Sequence, residues 1–265
     1  IGMFAFVLKD NEENKTYVVR DRLGIKPLFY SQSNQEMIFS SEVKSILHLL
    51  NNKPEINSEA VSSYFSFRYP ILNDSFYEGI NAIEPGCFLC IENNSVMKTK
   101  YWDLANSLTR QNEDKGEEYY EKEFLNLLKS SVNYRQIADV KVGAYLSGGV
   151  DSSAITALMS ENAQSKVPTF TIGFNEEGYN EFEDSREVSQ RYDTDHHEIT
   201  VSDDDYFSTM RKLIYYKDAP LGVPNEVPLY LMSKELKKYI TVVLSGEGAD
   251  EILAGYGRIF RSAFE

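Results

Sequence analysis

The sequence predicts two unlike parts: an α+β unit of mostly antiparallel strands over residues 1–104, then an α/β doubly wound parallel sheet over residues 117–265. Three observations carry this. Short apolar runs separated by polar turns crowd the first hundred residues, the pattern of hairpins. From Glu117 onward, strand-like runs alternate with helical stretches of 3.6 periodicity, the βαβα order of a parallel sheet. Between the two, residues 105–116 are rich in Asn, Ser, Gln, Asp and Gly, the composition of a linker.

In the first part, residues 1–10 read as a buried strand, 11–14 as a polar turn and 16–19 as the returning strand of a hairpin. A strand resumes at Leu28, Phe29 and Tyr30 after Pro27, and Met37, Ile38 and Phe39 form another. Ser41 and Glu42 are placed to open a helix carrying Val43, Ile46, Leu47 and Leu50. Asn57 or Ser58 can cap a short helix with Val61, Tyr64 and Phe65. Residues 66–82 read as loop, and 83–91 as a turn and strand.

In the second part a helix is expected over 117–134, with Tyr120, Phe124, Leu127, Leu128 and Val132 on one face. Strands follow at 140–146, 169–174, 197–201 and 241–244, and helices at about 152–163, 181–192, 203–215 and 226–239. Asn225 stands as the cap of the last helix, with Pro228 in its first turn. Ligands of such sheets sit at the carboxyl ends of the strands.

Bulk properties narrow the function. The chain has 265 residues, enough for about two domains, and is 42% hydrophobic, enough to build cores. A net charge of −14 and a pI near 4.8 argue against a nucleic-acid surface, which needs clustered Lys and Arg. No apolar run approaches the roughly 20 residues that span a bilayer. With no signal peptide visible, a cytoplasmic location is the default. The sequence opens inside an apolar strand and stops soon after a Gly-rich turn, so it reads as a segment of a longer protein. Cys87 and Cys90 have the spacing of a zinc or redox pair. Zinc would need two more ligands, and His48, His196 and His197 show no matching spacing, so the cysteines read as small apolar strand residues. His196 and His197 read as structural residues at the start of a strand.

The most specific chemistry lies in Ser147-Gly-Gly-Val-Asp-Ser-Ser153, between a strand and a helix. Gly148 and Gly149 can take positive φ and let an anion approach the backbone. Asp151 and Ser152 follow as N-cap residues. Free N–H groups and the positive end of the dipole at a helix start suit a phosphate, and Ser147, Ser152 and Ser153 add hydroxyls. Asp151 repels phosphate unless a cation lies between them, which points to Mg²⁺ on a polyphosphate. The loop lacks the Lys of a Walker A motif. The bland alternative is an ordinary βα turn rich in Gly and Ser. Two other strand ends can reach the same crevice. Phe170-Thr-Ile-Gly-Phe174 carries Gly173, which would let a flat ring pack closely. The other runs from Val242 to Ile252 and carries Gly246, Gly248 and the carboxylates Glu247, Asp250 and Glu251. Adjacent carboxylates at a helix start are either hard-cation ligands or a first turn answering the dipole; beside a polyphosphate loop the ligand reading is preferred.

The Ser147 loop is similar to the S-G-G-x-D-S loop of the ATP pyrophosphatases, which split ATP between its α- and β-phosphates. Together with Ser245-Gly-Glu-Gly-Ala-Asp-Glu-Ile-Leu-Ala-Gly-Tyr256 it closely resembles the synthetase domain of glutamine-dependent asparagine synthetases. Gly2-Met-Phe-Ala-Phe6, Arg20-Asp-Arg-Leu-Gly-Ile-Lys-Pro27, Ser41-Glu42 and Phe67-Arg-Tyr69 with Glu84-Pro-Gly86 are similar to the later half of that family's glutaminase domain. The resemblance implies an incomplete class II glutaminase, an Ntn-type sandwich, over 1–104, and an incomplete Rossmann-like ATP pyrophosphatase domain over 117–265. It further implies that Leu146 and Ile172 contact adenine, and that Ser147, Gly148, Gly149, Asp151, Ser152, Ser245 and Gly246 hold ATP. By the same resemblance Asp151, Asp250 and Glu251 bind Mg²⁺–pyrophosphate, and Glu247 orients or deprotonates the attacking ammonia.

The implied activity is that of a carbon–nitrogen ligase. A carboxylate, L-aspartate in the family, forms an acyl-adenylate with ATP, and glutamine-derived ammonia displaces AMP. Nucleic acid and membrane are not among the implied partners, and a homodimer is an open option. Two departures matter. The family's glutaminase nucleophile is an N-terminal cysteine, whereas this chain starts at Ile1 and its cysteines lie at strand positions, so the segment is not expected to hydrolyse glutamine by itself. Residues 218–228 contain no arginine, where a bacterial asparagine synthetase places one that binds substrate, so another carboxylate remains an alternative. A GMP synthetase or tRNA-modifying relative is disfavoured by the first part and by the acidic charge. A non-catalytic nucleotide-binding paralogue is disfavoured by the intact Asp151, Glu247, Asp250 and Glu251.

Overall fold

The structure, a computed structural model, describes residues 2–33, 36–71, 73–93, 95–107, 113–161, 163–174 and 180–257, and every count below is made among them. It divides into two compact units, Ile1–Asn112 with Lys212–Val223, and Glu113–Arg211 with Pro224–Glu265.

The first unit contains β1 (Ala5–Asp10), β2 (Lys15–Arg20), β3 (Phe29–Gln32), β4 (Met37–Ser40), α1 (Val43–Leu49), α2 (Ser58–Phe67), β5 (Ile80–Ala82), β6 (Cys87–Glu92), β7 (Ser95–Lys100) and α3 (Leu104–Ser107). One antiparallel sheet runs β1-β2-β6-β7 and a second runs β4-β3-β5. Val18, Leu28, Ile83, Cys87 and Leu89 share one core with Tyr30, Met37 and Phe39, so side chains of both sheets interlock. Helix α1 packs Val43 and Ile46 against Ile80, Phe29 and Ile38. Asn57 caps α2 as expected, its Oδ1 accepting the N–H groups of Glu59 at 3.0 Å and Ala60 at 3.1 Å.

Several expectations are corrected here. Residues 5–10 form a strand but not a buried one: Phe6, Val7 and Leu8 are 44%, 49% and 54% exposed, because β1 is an edge strand with both faces open among the described residues. β5 lies inside the stretch read as loop; three residues are too few for a period of two to register. β7, Ser95-Val-Met-Lys-Thr-Lys100, half-buries only Val96 and Thr99 and is too polar to signal a strand.

The Arg20–Pro27 stretch folds into a knot that consumes its own polar groups. The Asp21 side chain is buried and accepts N–H bonds from Lys26 (2.9 Å), Ile25 (3.0 Å), Leu23 (3.2 Å) and Phe4 (3.3 Å). The Arg20 guanidinium donates to the carbonyls of Ile83 (2.6 Å), Gly24 (2.8 Å) and Lys26 (2.9 Å). Burial pushes the Asp21 carboxyl up, and the four backbone donors outweigh it, leaving the group below the usual carboxylate range.

The second unit contains α4 (Glu117–Gln136), β8 (Val142–Tyr145), α5 (Val150–Glu161), β9 (Pro168–Phe174), α6 (Phe182–Tyr192), β10 (Asp195–Val201), most of α7 (Asp203–Lys217), α8 (Glu226–Leu236), β11 (Val242–Leu244) and α9 (Ala249–Leu253). Its sheet runs β10-β9-β8-β11 with every pair parallel. On one face Ala144, Val167 and Leu244 pack with Val132 of α4 and Leu158 and Met159 of α5. On the other, Phe170, Tyr145, Ile172, Ile199 and Val243 pack with Met232 and Leu236 of α8. Helices thus cover both faces, as the alternating order requires. On α4 only Leu128 and Val132 reach the core; Tyr120, Phe124 and Leu127, expected on the same face, are 38%, 41% and 62% exposed. Asn225 stands at the N-cap of α8 with helical backbone angles and makes no side-chain cap bond.

Candidate active site

The strand order decides where a ligand fits. The chain leaves β8 and moves outward through β9 and β10, then returns to place β11 on the opposite edge of β8. A parallel sheet opens a crevice at such a reversal, beyond the carboxyl ends of the two strands. The register pairs Ala144 with Leu244, so the Ser147 loop and the Ser245 loop leave the sheet side by side. They touch. A Cβ on Gly246 would come within 2.8 Å of Asp151 Cβ and 3.0 Å of the Ser152 nitrogen. Glycine is therefore what lets the second loop lie against the first turn of α5.

The Ser147 loop is knit by its own hydroxyls. Ser147 Oγ lies 2.9 Å from Ser152 Oγ and accepts the Gly149 N–H at 3.3 Å, and Ser152 Oγ accepts the Ser147 N–H at 3.2 Å. The Gly149 carbonyl accepts the Ser153 N–H at 3.0 Å, which starts the helical ladder there. Helix α5 begins at Val150, so Asp151 and Ser152 occupy its first turn and do not cap it, as the sequence had suggested. Of the two glycines only Gly148 has positive φ, 83°. It is also pressed against α6, where a Cβ would come within 2.9 Å of the Ser185 nitrogen and closer still to Asp184. Asp184 thereby joins the rim of the loop. Its sequence position in an acidic first helical turn gave no hint of this.

Leu146 is buried, and its backbone is spent on β9: the N–H donates to the Phe170 carbonyl at 2.9 Å and the C=O accepts the Thr171 hydroxyl. Ile172 packs with Phe170 beneath α8. Gly173 does lie against a flat ring, but the ring is the protein's own: a Cβ there would come within 2.8 Å of Phe182 Cε2. The side of Gly173 where a Cβ would stand is therefore taken by Phe182 and Asn180.

In the second loop, Glu247 is exposed and its N–H donates to Ser245 Oγ at 3.4 Å. Gly248, at φ 95°, opens α9, which carries Asp250 and Glu251. Glu251 Oε1 accepts the Tyr256 hydroxyl at 2.7 Å. Among the described residues no three His, Cys, Asp or Glu side chains gather closely enough to hold a metal ion by themselves, so Asp151, Asp250 and Glu251 do not form a ready-made cage. The donor set still suits magnesium. Mg²⁺ is held by one or two carboxylates and completes its octahedron with phosphate oxygens and water. Asp151 touches the loop that leads to Asp250.

The other candidates behave as structural residues. His196 Nδ1 lies 2.9 Å from Thr169 Oγ1, and burial pushes its pKa below the usual histidine value. His197 stacks on Phe170 at 5.1 Å and on Tyr239 at 4.2 Å between ring centroids. Cys87 and Cys90 are free, buried residues of β6, and burial pushes the Cys87 thiol up, away from reactive thiolate character.

Residues 123–265, more than half of the chain, match the asparagine synthase family model. The chain belongs to the asparagine synthase family. Residues 1–102 match the model of a glutamine amidotransferase domain. Among curated relatives of the family, the chain is 35% identical over 255 residues to asparagine synthetase (glutamine-hydrolysing) 1 of Bacillus subtilis, covering 96% of this chain and 40% of that protein. It is 35% identical over 260 residues to putative asparagine synthetase (glutamine-hydrolysing) 2 of Methanocaldococcus jannaschii, covering 96% of this chain and 50% of that protein. A putative asparagine synthetase of Mycobacterium bovis is 34% identical over 260 residues, with 96% of this chain and 40% of that protein covered. The chain thus spans half or less of the length of these family members. In the structure, no described helix is long and apolar enough to cross a membrane.

Proposed function

We propose that the chain is part of an ATP-dependent amide synthetase that makes L-asparagine from L-aspartate, ATP and ammonia drawn from glutamine. Residues 1–104 are the later half of a glutaminase domain of the Ntn-type sandwich, 105–116 the linker, and 117–265 a Rossmann-like ATP pyrophosphatase domain. The observation that carries this reading is the seating of Gly246 on Asp151, which joins two signature loops at the reversal point of a parallel sheet.

In the reaction a carboxylate oxygen attacks the α-phosphorus of ATP, and pyrophosphate leaves. The nitrogen of ammonia then attacks the acyl carbon, gives up a proton, and AMP leaves. The N–H groups of the Ser147 loop and the hydroxyls of Ser147, Ser152 and Ser245 orient the phosphates. Asp151, Asp250 and Glu251 would hold Mg²⁺, and the ion would supply positive charge to offset that of the pyrophosphate. Leu146 and Ile172 shape the base-binding side from below. Glu247, exposed at the mouth of the second loop, positions the ammonia and takes its proton. The protein works in the cytoplasm on small molecules.

The test is ATP–pyrophosphate exchange in the full-length protein with Mg²⁺ and a panel of carboxylic acids led by L-aspartate. Exchange with aspartate is expected. Exchange with a different acid alone would keep the chemistry and change the substrate, a reading favoured by the absence of arginine from residues 218–228. ATP binding without exchange for any acid would overturn the enzyme reading.

A further inference from the structure

Helix α6 packs on β9 and β10, and it does so through hydroxyls where an apolar stripe would be expected. Its inner positions are Phe182, Ser185 and Ser189, spaced three and four residues apart, and both serines are buried. On the other face of the sheet, α8 packs with Met232 and Leu236 instead.

Each serine has a partner on or beside the sheet. Thr194 donates its hydroxyl to Ser189 Oγ at 2.8 Å and its N–H to the Ser189 carbonyl at 3.1 Å. Thr169 of β9, fully buried, lies 2.8 Å from Thr194 Oγ1 and 2.9 Å from His196 Nδ1. His196 Nε2 in turn lies 3.4 Å from Ser185 Oγ. The protons in this chain run one way. Thr194 spends its proton on Ser189, so it accepts that of Thr169, and Thr169 accepts the Nδ1 proton of His196. Nε2 is left as an acceptor. The donor it meets is the Ser185 hydroxyl, which also reaches the Phe182 carbonyl at 3.0 Å. Burial holds His196 below the usual histidine value, against the pull of Glu198, and so favours this neutral form.

Buried hydroxyls add little stability over apolar side chains of the same shape. What they add is register: a helix on an apolar face can slide, and one bonded to fixed partners cannot. The register matters because of what α6 abuts. A Cβ on Gly148 would come within 2.8 Å of the Asp184 carbonyl carbon and 2.9 Å of the Ser185 nitrogen, so the nucleotide loop lies on the peptide that joins those residues. In an interior packed this closely, a shift of α6 is a shift of Gly148. On the same face of β9, the Thr171 hydroxyl holds the Leu146 carbonyl just before the loop begins.

We propose that Ser185 is a positioning residue for ATP: anchored to His196, it holds the first turn of α6 against Gly148 and so fixes the backbone donors that meet the phosphates. The inference rests on the function proposed above.

The experiment measures ATP–pyrophosphate exchange in the full-length protein, varying Mg-ATP and the carboxylic acid separately, alongside thermal unfolding. Ser185→Ala is expected to raise the KM for ATP about fivefold or more while the KM for the acid stays within about twofold and the unfolding midpoint hardly moves. His196→Gln keeps an acceptor within reach of Ser185 and is expected to retain a KM for ATP near that of wild type. His196→Asn reaches only Thr169 and should behave like Ser185→Ala. A wild-type KM for ATP in Ser185→Ala would overturn the proposal. So would an equal rise in both KM values with a lowered midpoint, which is general loosening. Should the His196 variants not fold, Ser185→Ala decides alone, since alanine is a good helix former. A wild-type protein that exchanges with no acid overturns the reaction and this inference with it, an outcome distinct from a failure of Ser185 alone.

Discussion

Two glycine-bearing turns, residues 20–27 and 147–153, leave strands in different units, and they spend their polar groups in opposite ways. In the first, Asp21 is buried under four N–H donors and Arg20 is saturated by three carbonyls. In the second, the serine hydroxyls bond one another, while the Asp151 carboxylate accepts no hydrogen bond among the described residues. Glu247 and Asp250 across the crevice are likewise unspent among those residues, whereas Glu251 is held by Tyr256. Both turns lie within the stretches that match the two family models. A carboxylate enclosed by backbone donors is a strut; one left facing a crevice is available to a ligand. A family motif by itself does not separate the two, and the partners of each oxygen do.

Removing the strut should have the largest effect. Asp21→Ala would orphan four N–H groups and is expected to cost about 3–5 kcal/mol in thermal or denaturant unfolding of the first unit. Because the folded carboxyl is held below its ordinary value, its stabilisation is complete above the unfolded pKa of about 4 and is lost as pH falls through the folded one. The acid limb of unfolding should therefore be shallower in Asp21→Ala, and an acid limb unchanged from wild type would remove Asp21 from this role. Asp151→Asn should leave the unfolding midpoint nearly unmoved and slow Mg²⁺-dependent pyrophosphate exchange about a hundredfold or more. Full exchange in that variant would place Asp151 with the struts. Gly246→Ala tests the contact between the two site loops. A methyl group driven toward Asp151 should cost about 1–3 kcal/mol, read as a shared loss of stability and ATP affinity, and an unchanged KM for ATP would show that the loops meet without need of glycine.

How much of this was legible in sequence follows from the range of each interaction. The order of strands and helices from β8 to α9 was readable because period and glycine punctuation are local. The two site loops were readable as chemistry for the same reason. Asp184 was not, because its approach to Gly148 depends on how α6 packs on α5. Nor was Ser185, whose partner His196 belongs to the following strand and leaves no local pattern. The ring that lies against Gly173, Phe182, was not legible for the same reason, since it comes from the next helix. In the first unit, β5 and β7 were too short or too polar for alternation to register.

The sheet order also sets a timetable. β8 pairs with β9 soon after both are made, but its other neighbour, β11, comes about a hundred residues later in the sequence. Pairings so distant along the chain are slow to form, and a parallel strand waiting for its partner presents an open edge. During synthesis the Ser147 loop would therefore emerge early and stand beside a vacant lane until Val242–Leu244 arrives. Nascent chains halted before residue 242 would expose the β8 edge, and they are where a chaperone would be expected to bind.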